Sequence, residues 1–155
     1  LVPNSARGGR ILYAVLEHSF RQREGDEKRC YLELPPLIAP IKCSILPISS
    51  NERLDPIIFA VRDQLTSREI SSKIDDSSGS IGRRYARTDE IGIPFGITVD
   101  FESELQPWTV TLRNAPTMQQ IRVSVSEIGE VVGHLVKGKM NWETAMAKYP
   151  IFNAK

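Results

Sequence analysis

The densest run of chemistry-bearing side chains lies between Asp75 and Arg87: the pair Asp75-Asp76, the turn Ser77-Ser78-Gly79-Ser80, then Arg83, Arg84 and Arg87. Carboxylates, free backbone N–H groups and guanidinium forks in one short segment suit a surface that holds a phosphate backbone and reads base edges beside it. A helix starting near Ser80 puts Arg83 and Arg87 on one face and turns Arg84 about 100° away. Arginine fits this chemistry because its planar fork grips a phosphate or a base edge with two hydrogen bonds. Asp75 and Asp76 end a strand, at the carboxyl edge where α/β sheets place ligands. The Gly/Ser turn then presents backbone N–H groups at a helix start, an anion-binding arrangement. The plainer alternative is that the three arginines pair with Asp75, Asp76, Asp89 and Glu90 as surface ion pairs, each contributing roughly 0–1 kcal/mol.

Two later segments add a second polar surface. In Pro94 to Asp100 the residues alternate, with Thr98 and Asp100 on one side and Ile97, Val99 and Phe101 on the other. In Trp108 to Arg113, Thr109, Thr111 and Arg113 form a polar face, and Trp108, Val110 and Leu112 an apolar one. A polar sheet face beside an aromatic ring can stack and hydrogen-bond an unpaired base, the usual mode for RNA loops. A half-solvated antiparallel pair would show the same alternation.

Catalytic and metal chemistry find little support. Asp75 and Asp76 are adjacent on a strand and project apart, and Asp89-Glu90 read as residues that cap or flank a helix. Gly79 to Arg84 lacks the spacing and the lysine of a phosphate-binding loop. His18 and His134 are far apart, with no metal-ligand spacing and no nucleophile arrangement. Cys30 and Cys43 fit neither a zinc pattern nor a disulfide framework and read as two reduced thiols of an intracellular protein.

The elements that must position these residues follow from periodicity. Residues 9–22 read as an amphipathic helix on Ile11, Leu12, Val15, Leu16 and Phe20, entered through Gly8-Gly9. A polar stretch to Arg29 follows, with a turn at Gly25-Asp26, and Pro35-Pro36 and Pro40 mark an extended connector. Residues 43–48 read as a strand. Asp55 and Pro56 open a helix as its cap and first residue, and the helix runs to about Arg68. Residues 72–75 form a short strand, 80–91 a helix, and 94–100 and 108–113 two strands joined through Glu102–Pro107. Residues 121–136 read as one long helix closed by Gly138. A last helix covers 142–149, capped by Asn141 and stopped by Pro150. The order βαβαββα after a separate helix predicts an α/β fold with a mixed sheet, its core drawn from the Ile57 and Ile121 stripes.

With 155 residues, 41% hydrophobic and 25% charged, the chain suits one globular domain. Its net charge is +1 and its pI about 8.0, below the value of roughly 9 usual for nucleic-acid-binding domains. Any RNA affinity must therefore come from a local patch. No segment reaches the roughly 18–20 apolar residues of a membrane span. The apolar run after Arg10 stops at Glu17, too short for a signal peptide. The chain starts at Leu1 without Met, so a fragment or processed chain is expected.

The Asp75 to Phe101 segment closely resembles the C-terminal anticodon-binding domain of eukaryotic and archaeal-type glycyl-tRNA synthetases. The likeness runs from about Arg10 to Phe152. It includes Glu17-His18-Ser19-Phe20, Arg23-Glu24-Gly25-Asp26, Ala39 to Ser44, Thr111-Leu112-Arg113 and Gln120-Ile121-Arg122. The resemblance implies a five-stranded mixed sheet flanked by helices. It also implies an anticodon stem-loop of glycine tRNA as partner. Carried over, Arg83, Phe101 and Arg113 are the positions expected at anticodon bases, Phe101 by stacking and the arginines at base edges. Asp100, Thr109 and Thr111 come next, with Arg84 and Arg87 in support. Ser5 to Glu17 resembles the tail of class II motif 3, with Arg10 at the place of its ATP-stacking arginine, although Arg7 stands where that family usually has a glycine. Residues 1–36 are thus expected to be a catalytic-domain remnant and connector, and 37–155 the anticodon-binding domain. The resemblance implies a homodimeric, cytoplasmic parent enzyme, with mitochondria as a second destination, that uses ATP and Mg to attach glycine to tRNA. Motifs 1 and 2 are missing, so this chain alone is expected to be inactive, to need no cofactor and to hold no metal. A protein-interaction module derived from the same fold is the alternative.

Overall fold

The computed structural model describes residues 4–153. Helix α1 (Asn4–Ser19) runs straight into a hairpin of β1 (Phe20–Arg23) and β2 (Asp26–Leu32). The helix expected over 9–22 therefore ends at Ser19, and Phe20 leaves its apolar stripe to pair with Leu32. The polar stretch after it is a paired ribbon rather than an irregular turn. Gly25, at φ +78°, makes the reversal, a conformation that costs glycine little.

The main sheet holds β3 (Cys43–Pro47), β4 (Ser72–Ile74), β5 (Phe95–Val99), β6 (Thr109–Asn114) and β7 (Gln120–Ser124). Their spatial order is β4-β3-β5-β6-β7. β4, β3 and β5 are parallel, whereas β6 is antiparallel to both of its neighbours. The fold is α/β with the mixed five-stranded sheet that the resemblance implies. The crossovers are α2 (Asp55–Thr66) and α3 (Ile81–Glu90). One leads outward from β3 to β4 and the other back past β3 to β5. Crossovers of the same right hand that step in opposite directions fall on opposite sheet faces.

One face carries Ile45, Phe95, Ile97, Val99, Val110, Leu112, Ile121 and Val123. It packs against Ile57, Val61 and Leu65 of α2 and Ile128, Val132 and Leu135 of α4 (Val125–Val136). Each such side chain contributes about 1.5–3 kcal/mol by leaving water. Both expected core stripes thus lie in this layer. The helix expected over 121–136, however, divides into β7 and α4. Ile121, Val125 and Ile128 satisfy a helical period, while Ile121, Val123 and Val125 satisfy a strand period. Cross-strand partners decide the matter, because Ile121 faces Leu112 and Val123 faces Val110. Ser124 then caps α4, its side chain accepting from the Ser126 N–H.

Capping differs at α2 as well. A short 3-10 turn, Glu52–Leu54, precedes it, and Asn51 rather than Asp55 supplies the capping oxygen. Asp55 is the first helical residue, followed by Pro56. Helix α5 (Trp142–Lys148) starts at the Asn141 cap as expected.

Candidate nucleic-acid interface

The second sheet face is the polar one, and it is largely covered. Ser44, Thr98, Thr111 and Arg113 are all buried there. Helix α3 lies over Thr98 and Arg113. Tyr85 Oη shares a hydrogen bond with Thr98 Oγ1, and the Arg113 guanidinium stacks 4.5 Å from the Tyr85 ring centre. Burial is the main influence on the Tyr85 phenol and pushes its pKa up. Gly96 faces the Tyr85 ring on this side, and a Cβ there would stand 3.5 Å from Tyr85 Cε1. The strand pair is therefore no half-solvated face.

The candidate residues divide between the two ends of this face. At the carboxyl edge lie the ends of β3, β4 and β5, the Asp75–Ser80 loop, the first turn of α3 and the Phe101–Glu104 turn. At the opposite edge lie Arg113, Asp89 and the β1–β2 hairpin.

Helix α3 sorts its three arginines as the period predicts. Arg83 and Arg87 are exposed and Arg84 is buried, at 4%. Arg84 Nη1 donates to the Pro47 carbonyl at 2.6 Å, Nη2 donates to the Asp75 carbonyl, and Nε stands 3.8 Å from Asp75 Oδ1. It ties α3 to the ends of β3 and β4. Arg87 lies 3.4 Å from Asp75 Oδ2 and donates to Ser77 Oγ. The plainer reading, arginines paired with carboxylates, thus holds for Arg84 and Arg87. Burial pushes the Asp75 carboxyl up, but the Ser77 hydrogen bonds and the Arg84 and Arg87 charges outweigh it and hold it below its ordinary value. Arg83 differs. Its backbone N–H meets the Ser80 cap, while its guanidinium has no ion pair or hydrogen bond among the described residues.

Two clefts flank the Asp75–Gly79 loop. One, of about 450 Å³, is lined by Pro47, Ile48, Ser49, Phe59, Ser78 and Arg84 among others. The other, of about 510 Å³, includes Ser44, Lys73, Asp75, Arg87 and Thr88.

Phe101 was expected beside Val99 on the sheet. The strand instead ends at Val99, and Phe101, 55% exposed, opens a 3-10 turn. Asp100 caps that turn, its carboxylate accepting from the Ser103 N–H while the Ser103 hydroxyl accepts from the Asp100 N–H. Asp100 also takes a two-pronged grip from Arg122, Nη1 to Oδ2 at 2.6 Å and Nη2 to Oδ1 at 3.0 Å. Burial raises the Asp100 carboxyl, and the Arg122 hydrogen bond and charge with the Ser103 bonds bring it below its ordinary value. Thr109 and Thr111, expected at bases, accept through their hydroxyls from Arg122 Nε and Nη1, each at 2.9 Å. Thr111 is buried and Thr109 half-buried. Arg122 was missed as a site residue because β7 read as helix. On a strand it stands directly opposite Thr111, and that alternation, with its place in the family-like run Gln120-Ile121-Arg122, is the signal for it in the sequence.

Arg113 is 4% exposed, and its fork grips Asp89 with Nη1–Oδ1 at 2.8 Å and Nη2–Oδ2 at 3.0 Å. Arg23 reaches the same carboxylate at 2.9 Å, donates to the Ala115 and Pro116 carbonyls, and stacks over Tyr31. Asp89, in the last turn of α3, thus does more than cap or flank a helix. It is a buried joint between the hairpin, α3 and β6.

Arg10 is exposed on α1. Among the described residues no group of three or more His, Cys, Asp or Glu side chains could hold a metal.

A model of the anticodon binding domain family matches residues 42–135, from the start of β3 to near the end of α4. The chain belongs to the anticodon-binding domain family. Over nearly its whole length this anticodon-binding domain is also similar to glycine–tRNA ligases. It is 63% identical over 147 residues to that of Caenorhabditis elegans, covering 94% of this chain and 20% of the relative. For Drosophila melanogaster the figures are 57% over 144 residues, 93% and 19%, and for Methanocaldococcus jannaschii 43% over 128 residues, 83% and 21%. The chain thus spans about a fifth of the length of these relatives. A prolyl-tRNA synthetase from Cryptosporidium parvum shares the fold at TM-score 0.66 and 26% identity, covering 80% of this chain and 26% of that one.

Proposed function

We propose that the domain binds the anticodon stem-loop of glycine tRNA at the carboxyl edge of its sheet, within a longer enzyme that joins glycine to tRNA. The observation that carries this reading is that one edge holds both an exposed aromatic residue, Phe101, and an exposed arginine, Arg83, whose guanidinium has no ion pair or hydrogen bond among the described residues. An exposed ring offers a stacking platform to any unpaired base, and an unpaired arginine can read a base edge or hold a phosphate. Arg87, Asp100 and Thr109 line the rim. Arg84, Arg113 and Thr111, buried as they are, act by holding the surface rather than by touching RNA. ATP and Mg chemistry belongs to the parent's catalytic part, of which residues 1–36 are the proposed remnant and connector, with the anticodon-binding unit beginning near Leu37. That parent is proposed as a homodimer of the cytoplasm or mitochondria.

A titration of the chain with the glycine anticodon stem-loop and with an anticodon-swapped version tests this reading. Tighter binding of the first is expected, and equal affinity for both would sink the specificity claim. The rival, a protein-interaction module, draws on the near-neutral charge and on the exposed apolar side chains of α1. Arg83→Glu separates the two, since it abolishes RNA binding under the first reading and leaves partner binding intact under the second.

A further inference from the structure

We infer that Arg122 is a positioning residue for RNA recognition: by gripping Asp100 across β6 it fixes the turn that presents Phe101, without itself touching RNA. This rests on the reading that the carboxyl edge binds an anticodon stem-loop.

An arginine has five N–H donors, and here every nitrogen of the group is engaged. Nε donates to Thr109 Oγ1, Nη1 to Asp100 Oδ2 and Thr111 Oγ1, and Nη2 to Asp100 Oδ1, Ser103 Oγ and the Thr109 carbonyl. The side chain is 13% exposed. Its N–H groups are all taken and its face stands 5.8 Å from the Phe152 ring centre, so its reach serves the groups it holds. Three of these six bonds reach Asp100 and Ser103 of one short element, and the other three reach Thr109 and Thr111 of β6. The Phe101–Glu104 turn is only 4 residues long, so few bonds of its own define it. Its place is set by the Asp100 cap, and the cap is set by Arg122 from two strands away. Phe101 follows Asp100 directly in the chain. A ring that stacks on a base binds more tightly when its position is fixed beforehand, because less ordering remains for binding to accomplish.

A merely structural Arg122 would tie β5, β6 and β7 together and lower stability when lost, with no link to Phe101. A double-mutant cycle separates the two roles. Affinity for the glycine anticodon stem-loop is measured for wild type, Phe101→Ala, Arg122→Gln and the double variant, each checked for melting temperature. Phe101→Ala should weaken binding ~10-fold, within the range for loss of one base–aromatic stack. Arg122→Gln should weaken it about 5-fold in the wild-type background but less than about 2-fold once Phe101 is Ala, the signature of coupled residues. Asp100→Asn, which keeps the shape of the cap and removes its charge, should repeat that pattern and decides the matter if Arg122→Gln does not fold. An equal loss in both backgrounds, or no loss at all, overturns the assignment. Wild type that fails to bind the stem-loop overturns the underlying reading, and this inference with it, before any variant is compared.

Discussion

Arg83 and Arg84 are neighbours in the chain with opposite fates, because a helix turns about 100° per residue. One faces water and the other threads beneath α3 to the Pro47 and Asp75 carbonyls. Asp89 shows the same logic for a carboxylate: placed on the inner side of α3, it becomes the common acceptor of Arg23 and Arg113. Removing one partner of such a buried set leaves uncompensated charge. Asp89→Ala is therefore expected to destabilise the domain by about 3–5 kcal/mol in urea denaturation. A cost below ~1 kcal/mol would show that the two guanidiniums find water instead. Asp75 and Asp100 carry a pH signature. Both carboxyls titrate below the ordinary value of 3.8 in the folded chain. The unfolded chain thus binds protons first as pH falls, so their stabilisation is whole above that value and is lost as pH drops through the lower folded values. Urea midpoints taken down a pH series should decline in that window, and Asp100→Asn should make the decline shallower. An unchanged slope would contradict the Arg122–Asp100 account.

At the scale of elements, α2 and α4 cross where Gly129 has no side chain. A Cβ there would meet the Gln64 carbonyl oxygen and carbon and come within 3.0 Å of Arg68 Nη1. Alanine would favour the helix by ~1 kcal/mol, but the obstacle is backbone, which cannot swing aside. Gly129→Ala should therefore lower stability by about 1–3 kcal/mol, and a rise in melting temperature would show that the crossing is looser. The elements also show what a sequence can and cannot disclose. The arginine helix, the parallel strands and the Asn141 cap were legible because a single period or capping pattern identifies each. Strand β7 was not, because Ile121, Val123, Val125 and Ile128 serve two periods, and only Leu112 and Val110 across the sheet choose between them. Losing β7 also lost Arg122. The β1–β2 hairpin is illegible in the sequence because its strands are mostly polar and gain their place from long-range contacts, Arg23 to Asp89, Ala115 and Pro116 among them. The burial of Arg113 was equally illegible, since Asp89 lies 24 positions away along the chain.

Over the whole molecule, the well-packed sheet contrasts with α1. Ile11, Leu12 and Tyr13 are each at least 60% exposed, and Ile11, Val15 and Ile38 line an open apolar groove. With a net charge of only +1 there is little repulsion to keep copies apart. The chain is expected to self-associate through this helix, and Leu12→Glu with Leu16→Glu should restore a monomer in sedimentation velocity. A monodisperse wild-type monomer would count against that. The same low charge means that RNA binding must come from a local patch, which we propose is the carboxyl edge, so the outcome is sensitive to single residues. The decisive measurement is the affinity of the chain for the glycine anticodon stem-loop across a salt series, wild type against Arg83→Ala. Binding that weakens as salt rises, and that falls ~10-fold or more in the variant, is the predicted result. Binding indifferent to salt and to Arg83, or no binding at low salt, would contradict the assignment of this edge as the RNA surface.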